Sequence, residues 1–239
     1  SGIYPTTSPI GEDVTAVILA GGSGARMRPY TGPKCLVPVG GKPLLYRLID
    51  HLRESGIVSV AVCTGYKAED VAFAVGQYPE AKDMSLRVVN SGEDISMGQR
   101  LSEFSKKLDT PKALVCYGDT LADMDIRELW THCSDEDAAM VVSTVPLKSV
   151  FGIVRTGPES LNRLARIDEK PELPHLVNIG YIVVQSFALL RLEPGDDVPA
   201  WVNRIAVEDK VEIYRHSGWH LTINTEQDLI EADEFLSKR

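Results

Sequence analysis

The chain has 239 residues, 44% hydrophobic and 25% charged, a make-up that suits a globular protein with a sizeable core and excludes wholesale disorder. Its formal net charge of −9 argues against a nucleic-acid backbone as the main partner, since such binders cluster Lys and Arg. No apolar run approaches the roughly 20 residues of a membrane span and no hydrophobic signal region follows the first residues, so no membrane partner and a cytoplasmic location are expected.

Residues 1–13, SGIYPTTSPIGED, are polar and rich in Ser, Thr, Pro and Gly, and read as a mobile extension ahead of one domain over 14–239. From Val14 the run VTAVILA is β-branched and stops at glycines, which predicts a buried strand. Leu44, Leu45, Leu48, Ile49 and Leu52 then recur at helical spacing, with Gly56 as the stop. VSVAVCTG, SLRVVN and KALVCYG are strand-like, and the helix-like KAEDVAFAVGQY and SMGQRLSEFSKKL fall between them. Strand alternating with helix implies parallel βαβ units. Further on, AAMVVSTV, FGIVRT, NIGYIVVQ and KVEIYRH predict more strands, and DLIEADEFLSKR a closing amphipathic helix. The expected fold is α/β, a single Rossmann-like domain with a central, mostly parallel mixed sheet covered by helices on both faces.

The four cysteines, Cys35, Cys63, Cys116 and Cys133, form no CxxC pair and are read as reduced. His216 and His220 are four apart, but Gly218 between them and the strand-like run around them argue against a zinc pair.

The most informative stretch leaves the first strand at its C-terminal end, where ligands bind in open α/β sheets. Gly21, Gly22 and Gly24 let the main chain turn sharply and present its N–H groups to phosphate oxygens, so that Leu19, Ala20, Ser23 and Ala25 around them are candidate nucleotide-binding positions, with Arg26 and Lys34 as fixed positive charge beside the turn. It is not a P-loop, because Lys42 is wrongly spaced and followed by Pro43, and it is not a dinucleotide fingerprint, because Met27 stands at the sixth position counted from Gly22. As a whole, LAGGSGARMRPYTGPKCLVPVGGKPLL resembles the signature of the sugar-1-phosphate nucleotidyltransferases. That resemblance implies a nucleoside triphosphate held by the loop, a small phosphorylated acceptor, release of pyrophosphate, and Arg26 and Lys34 offsetting charge on the α-phosphate and the departing pyrophosphate. In transfers of this kind positioning and electrostatics carry most of the catalysis.

Bringing two phosphates together calls for a divalent cation, and magnesium favours a few oxygen ligands. In ALVCYGDTLADMDI a strand ends at Asp119, and YGDTLADMDI resembles the corresponding segment of glucose-1-phosphate cytidylyltransferases. Asp119 is the expected first ligand. The late segment that supplies the second ligand in this family reads GWHLTINTEQDLIEA, with Thr222 where an Asp is usual. Asn224 is taken instead, with capping of the closing helix as its other reading.

On the acceptor side, FGIVRT and IDEKPELPHLVNIGYIVV resemble family elements that imply Gly152, Glu169, Lys170, Asn178 and Gly180 as acceptor-binding, Lys170 taking the phosphate. NSGEDISMGQRL resembles the base-proximal segment of glucose-1-phosphate cytidylyltransferases, which points to Ser96 and Gly98 and tilts the reading toward CTP, with dTTP, UTP and GTP open. Phosphocholine or a phosphonate is the alternative acceptor. A catalytically silent nucleotide-binding module is the alternative of another class, favoured by Thr222. The resemblance also implies a homo-oligomer.

Overall fold

The computed structural model describes residues 10–135 and 137–239. Residues 1–9 of the expected extension lie outside the described residues. The rest of that segment belongs to the fold: Ile10–Glu12 form a 3-10 turn and Ile10, 6% exposed, joins the main core. Gly11 packs so tightly that a Cβ there would stand 2.9 Å from the Gly56 carbonyl oxygen.

In chain order the elements are β1 (Val14–Ala20), the short pair β2 (Pro38–Val39) and β3 (Lys42–Pro43), α1 (Leu44–Glu54), β4 (Ser59–Thr64), α2 (Ala68–Gly76), β5 (Ser85–Asn90), α3 (Met97–Ser105), β6 (Lys112–Tyr117), β7 (Thr120–Ala122) and α4 (Ile126–Asp135). After these come β8 (Met140–Lys148), β9 (Ile153–Gly157), β10 (Ser160–Asp168), the long β11 (Glu172–Gln185), α5 (Ser186–Leu189), α6 (Val198–Glu208), β12 (Val211–Arg215), β13 (His220–Thr222) and α7 (Glu226–Ser237).

Seven strands make the central sheet, in the order β12-β8-β11-β6-β1-β4-β5. Six of them run the same way; only β11 is reversed, pairing antiparallel with β6 and β8. The α/β class and the mostly parallel mixed sheet are as the sequence implied.

Side chains alternate across a strand, so the sheet divides the apolar residues into two cores. Val14, Ala16, Ile18 and Ala20 of β1 join the core formed with α1, α2, α4 and α7, while Val17 and Leu19 join the one formed with α3, α5 and α6. Burial on both faces explains why β1 is apolar at almost every position. All four cysteines are free and buried. Among the described residues, no helix is long and apolar enough to cross a membrane.

The chain supplies several elements that periodicity had not indicated: α4, α6, β10 and the small β7/β13 pair. That last pair, antiparallel with Thr120 opposite Thr222, joins two segments about a hundred residues apart at one end of the sheet.

Candidate active site

β1, β4 and β6 end level with one another, Leu19 opposite both Cys63 and Tyr117, and at their C-terminal ends the chain turns away. The turn after β6 needs glycine, since a Cβ on Gly118 would lie 2.6 Å from the Leu19 carbonyl oxygen. A cleft of about 340 Å³ opens above these ends. Of the candidate residues read from the sequence, Leu19, Ala20, Gly21, Gly22 and Ser23 line it, together with Lys34 and Asp119. Gly24, in the left-handed region at φ 67°, turns the chain out of the cleft into a short 3-10 segment. Ala25 and Arg26 lie on that segment, outside the lining residues; Arg26 is exposed, and its side chain makes no hydrogen bond or ion pair among the described residues.

Three side chains from distant parts of the chain meet at the cleft. The Lys34 ammonium donates to Asp119 Oδ2 at 2.8 Å and to Asn224 Oδ1 at 2.6 Å. The other Asp119 oxygen accepts from the Thr120 hydroxyl at 3.3 Å, and Thr120 in turn lies 3.3 Å from the Thr222 hydroxyl. Thr222, at the position where an Asp was awaited, thus supports Asp119 through a hydroxyl relay. Asn224 is free for this contact because Thr225 caps α7: Thr225 Oγ1 accepts from the Asp228 N–H, and Asp228 Oδ2 accepts from the N–H groups of Asn224 and Thr225. Pairing of β7 with β13, reinforced by the Ile223 N–H donating to the Asp119 carbonyl at 2.9 Å, brings residues 119 and 224 together.

The far wall of the cleft is formed by residues that motif reading had not assigned: Tyr66, Glu93, Asp94, Ile95, Tyr117 and the buried Arg100. The Arg100 guanidinium donates to the carbonyls of Thr64 at 2.5 Å and Glu93 at 3.0 Å. It fills the space that a Cβ on Gly21 or Gly65 would need, tying the glycine turn to the 92–95 loop. Burial draws its pKa below the usual arginine value. Cys35 also faces the cleft, and burial pushes its thiol up to about 12, so it is a neutral wall and no nucleophile.

Ser96 and Gly98 are placed differently from expectation, and neither lines the cleft. Ser96 caps α3, its hydroxyl accepting from the Gln99 N–H at 3.1 Å. The missing side chain of Gly98 makes room for the backbone of Asp196 and Asp197 at the start of α6. Its smallness serves helix packing, and the approach of a base is not what requires it.

The residues expected to bind the acceptor separate into two groups. Gly152 and Glu169 are adjacent at the base of the β9/β10 hairpin, a Cβ on Gly152 falling 3.4 Å from Glu169 Oε2, and Lys170 beside them is exposed at φ 43°. Asn178 and Gly180 instead build the seat of Tyr117: Asn178 Nδ2 donates to the Tyr117 hydroxyl at 3.2 Å, and Asn178 Oδ1 accepts from the Gly180 N–H at 2.8 Å. Beyond β13 a second cavity of about 320 Å³ is bordered by Lys148, Glu172, Arg215 and His220. His216, also in its wall, is buried and paired with Asp123, Nε2 to Oδ1 at 3.0 Å.

The donor set fits a hard divalent cation. Asp119 and Asn224 present oxygens that converge on one point, occupied by the Lys34 ammonium. Among the described residues no group of three His, Cys, Asp or Glu side chains could hold a metal alone. A metal here would complete its sphere with phosphate and water oxygens.

A β1 turn of this kind, a carboxylate ending β6 and an amide brought in by a late hairpin define a nucleotide-handling α/β protein, and the chain belongs to the nucleotidyl transferase family, whose family model matches residues 15–218. Among curated relatives it is 27% identical to the "Probable glucose-1-phosphate cytidylyltransferase" of Bacillus subtilis, covering 92% of this chain and 94% of that one. It is also 27% identical to a bifunctional sugar-1-phosphate nucleotidylyltransferase/acetyltransferase of Sulfurisphaera tokodaii, across 92% of this chain but only 55% of that protein, so it spans about half the length of some relatives. The crystal structure of HddC from Yersinia pseudotuberculosis shares the fold, with a TM-score of 0.71, 22% identity, and coverage of 93% of this chain and 99% of that one.

Proposed function

We propose that the protein joins a nucleoside triphosphate to a sugar 1-phosphate, giving a nucleoside-diphosphate sugar and pyrophosphate, with magnesium as the cofactor. The observation that carries this reading is the convergence of Lys34, Asp119 and Asn224 at the mouth of a glycine-lined cleft. An oxygen of the acceptor phosphate attacks the α-phosphorus as the bond to the pyrophosphate oxygen breaks. Main-chain N–H groups of residues 20–24 receive triphosphate oxygens. Lys34 and Arg26 stabilise charge on the α-phosphate and the leaving group, Arg26 folding in from its exposed turn. Asp119 and Asn224 would hold magnesium, which would neutralise phosphate charge when bound. No covalent enzyme intermediate is needed, in keeping with the neutral Cys35.

Tyr66, Tyr117, Arg100 and the 93–95 loop form the side of the cleft open to a base. CTP is the proposed nucleotide on the resemblance of residues 96–101, although relatives carry both cytidylyl and guanylyl names. The acceptor enters over β13 and β11, where Gly152, Glu169, Lys170 and the cavity beside Lys148 and Arg215 offer groups for hydroxyls and phosphate. A homo-oligomer forms part of the proposal. It is supported by exposed apolar side chains on the β9/β10 hairpin, Leu161 at 85% and Val154 at 59%, and is checked by light scattering.

The decisive experiment measures pyrophosphate release for each triphosphate against sugar 1-phosphates, phosphocholine and phosphonates. Turnover confined to sugar 1-phosphates supports the reading, and turnover only on phosphocholine or a phosphonate replaces the acceptor. Thr222 favours one other reading, a silent nucleotide-binding module. Metal-independent nucleotide binding with no turnover on any acceptor, unchanged in Asp119→Ala, establishes that one instead.

A further inference from the structure

Lys34 borders the cleft, and its ammonium is engaged there by two side chains. Its side chain is 14% exposed, and its ammonium spends two of its three N–H donors on Asp119 Oδ2 and Asn224 Oδ1, the two oxygens that the proposed metal site offers. The remaining Asp119 oxygen is turned to Thr120, so the pair held by Lys34 is the pair a metal needs. The lysine backbone is anchored, its N–H donating to the Gly22 carbonyl at 3.2 Å, and its stem runs beneath the glycine turn, within 3.4 Å of the Cβ position of Gly24. That stem lies between the Asp119–Asn224 pair and the turn on which the proposed triphosphate sits.

We infer that Lys34, before it serves the phosphates, keeps the metal site closed: its ammonium stands between Asp119 and Asn224, and a divalent cation binds there only when the ammonium is displaced. The inference rests on the proposed metal ligands. A magnesium ion sits about 2.0–2.1 Å from its oxygens, so ammonium and metal cannot share one oxygen pair without two cations meeting at contact distance. A triphosphate resolves the conflict by giving the displaced ammonium anionic partners. Metal and nucleotide therefore arrive together, and Asp119 and Asn224 stay oriented until they do.

The test uses the full chain, without nucleotide, and Mn2+ as the probe, with free Mn2+ monitored by electron paramagnetic resonance and heats of binding by calorimetry. Wild type binds Mn2+ weakly. Lys34→Met, which keeps the bulk and removes the charge, binds it about tenfold to a hundredfold more tightly, the range set by losing charge-assisted hydrogen bonds that compete with the metal. Lys34→Gln shifts affinity the same way, and Lys34→Arg stays weak. Equal affinity in wild type and Lys34→Met, with binding abolished by Asp119→Asn in both, overturns the inference and leaves the metal site standing. A gain in Lys34→Met that survives Asp119→Asn overturns the proposed metal site and the inference with it.

Discussion

Gly180 offers a test of whether residues 178–180 serve the acceptor, as motif resemblance implies, or the seat of Tyr117, as the geometry indicates. The residue sits at φ 79°, and an added Cβ would lie 2.6 Å from both Cβ and Cδ2 of Tyr117. For Gly180→Ala, a left-handed backbone costs about 1–2 kcal/mol. Forcing a methyl into filled space adds about 1–3 kcal/mol. Tyr117 cannot move freely to relieve this, because its backbone belongs to β6 and its hydroxyl is held by Asn178. The total, about 2–5 kcal/mol, is measurable by urea denaturation as a lower midpoint at unchanged slope. Since Tyr117 lines the cleft proposed for the nucleotide, its displacement weakens nucleotide binding, read by calorimetry, more than it changes the acceptor KM. Stability within about 0.5 kcal/mol of wild type (a surface-like effect), or a defect confined to the acceptor KM, refutes the reasoning.

Asp119→Asn removes the carboxylate from the Lys34–Asn224 cluster and lowers kcat by about a thousandfold or more, since charge stabilisation worth several kcal/mol is lost; turnover within about tenfold of wild type, with far-ultraviolet dichroism unchanged, counts against the assignment. Trp201→Ala empties the centre of the core beneath α6, where Trp201 is fully buried and its indole N–H donates to the Ala188 carbonyl at 2.9 Å, and costs about 3–5 kcal/mol in chemical denaturation. His51 carries a pKa drawn below its ordinary value by burial, so the folded protein favours the neutral ring. As pH falls through the unfolded value of about 6.5 the unfolded chain protonates first, and wild type loses more stability between about pH 7 and 5 than His51→Gln does; parallel stability curves contradict this.

The cleft and its glycine turn were legible because their signals are local. A β-branched run ending in glycines gives β1 and its turn, and a strand ending in an acid gives Asp119, each within a short stretch of sequence. Arg100 shows what such reading misses. Its neighbours Gly21, Thr64 and Glu93 come from three separate segments, and within α3 it is only one basic residue on a helix. Gly98 errs the other way: a small residue suggested room for a ligand, and the room is taken by the start of α6. The helix α6 carried usable signals, Val198, Trp201, Val202 and Ile205 at helical spacing behind an Asp197 cap, but Pro199 reads as a breaker unless it is placed in the first turn. β13 is three residues long, too short for periodicity, and exists because β7 is there to pair with it. The choice of Asn224 therefore depended on alignment of a motif, and the reason it meets Asp119 at the Lys34 ammonium lies in the pairing of those two strands.

The reversed direction of β11 sets how the two halves of the cleft can diverge. For the other six strands, which run parallel to one another, the crest of the sheet is reached at the end of a strand, so the segments leaving β1 and β6 shape the side of the glycine turn. At β11 the crest is reached at the beginning, so the segment leading into Glu172, the β9/β10 hairpin, borders the opposite side. Lengthening or exchanging that hairpin can reshape one wall while the glycine turn and the Lys34–Asp119–Asn224 cluster keep their register, an arrangement that lets partner preference drift on an unchanged chemical chassis.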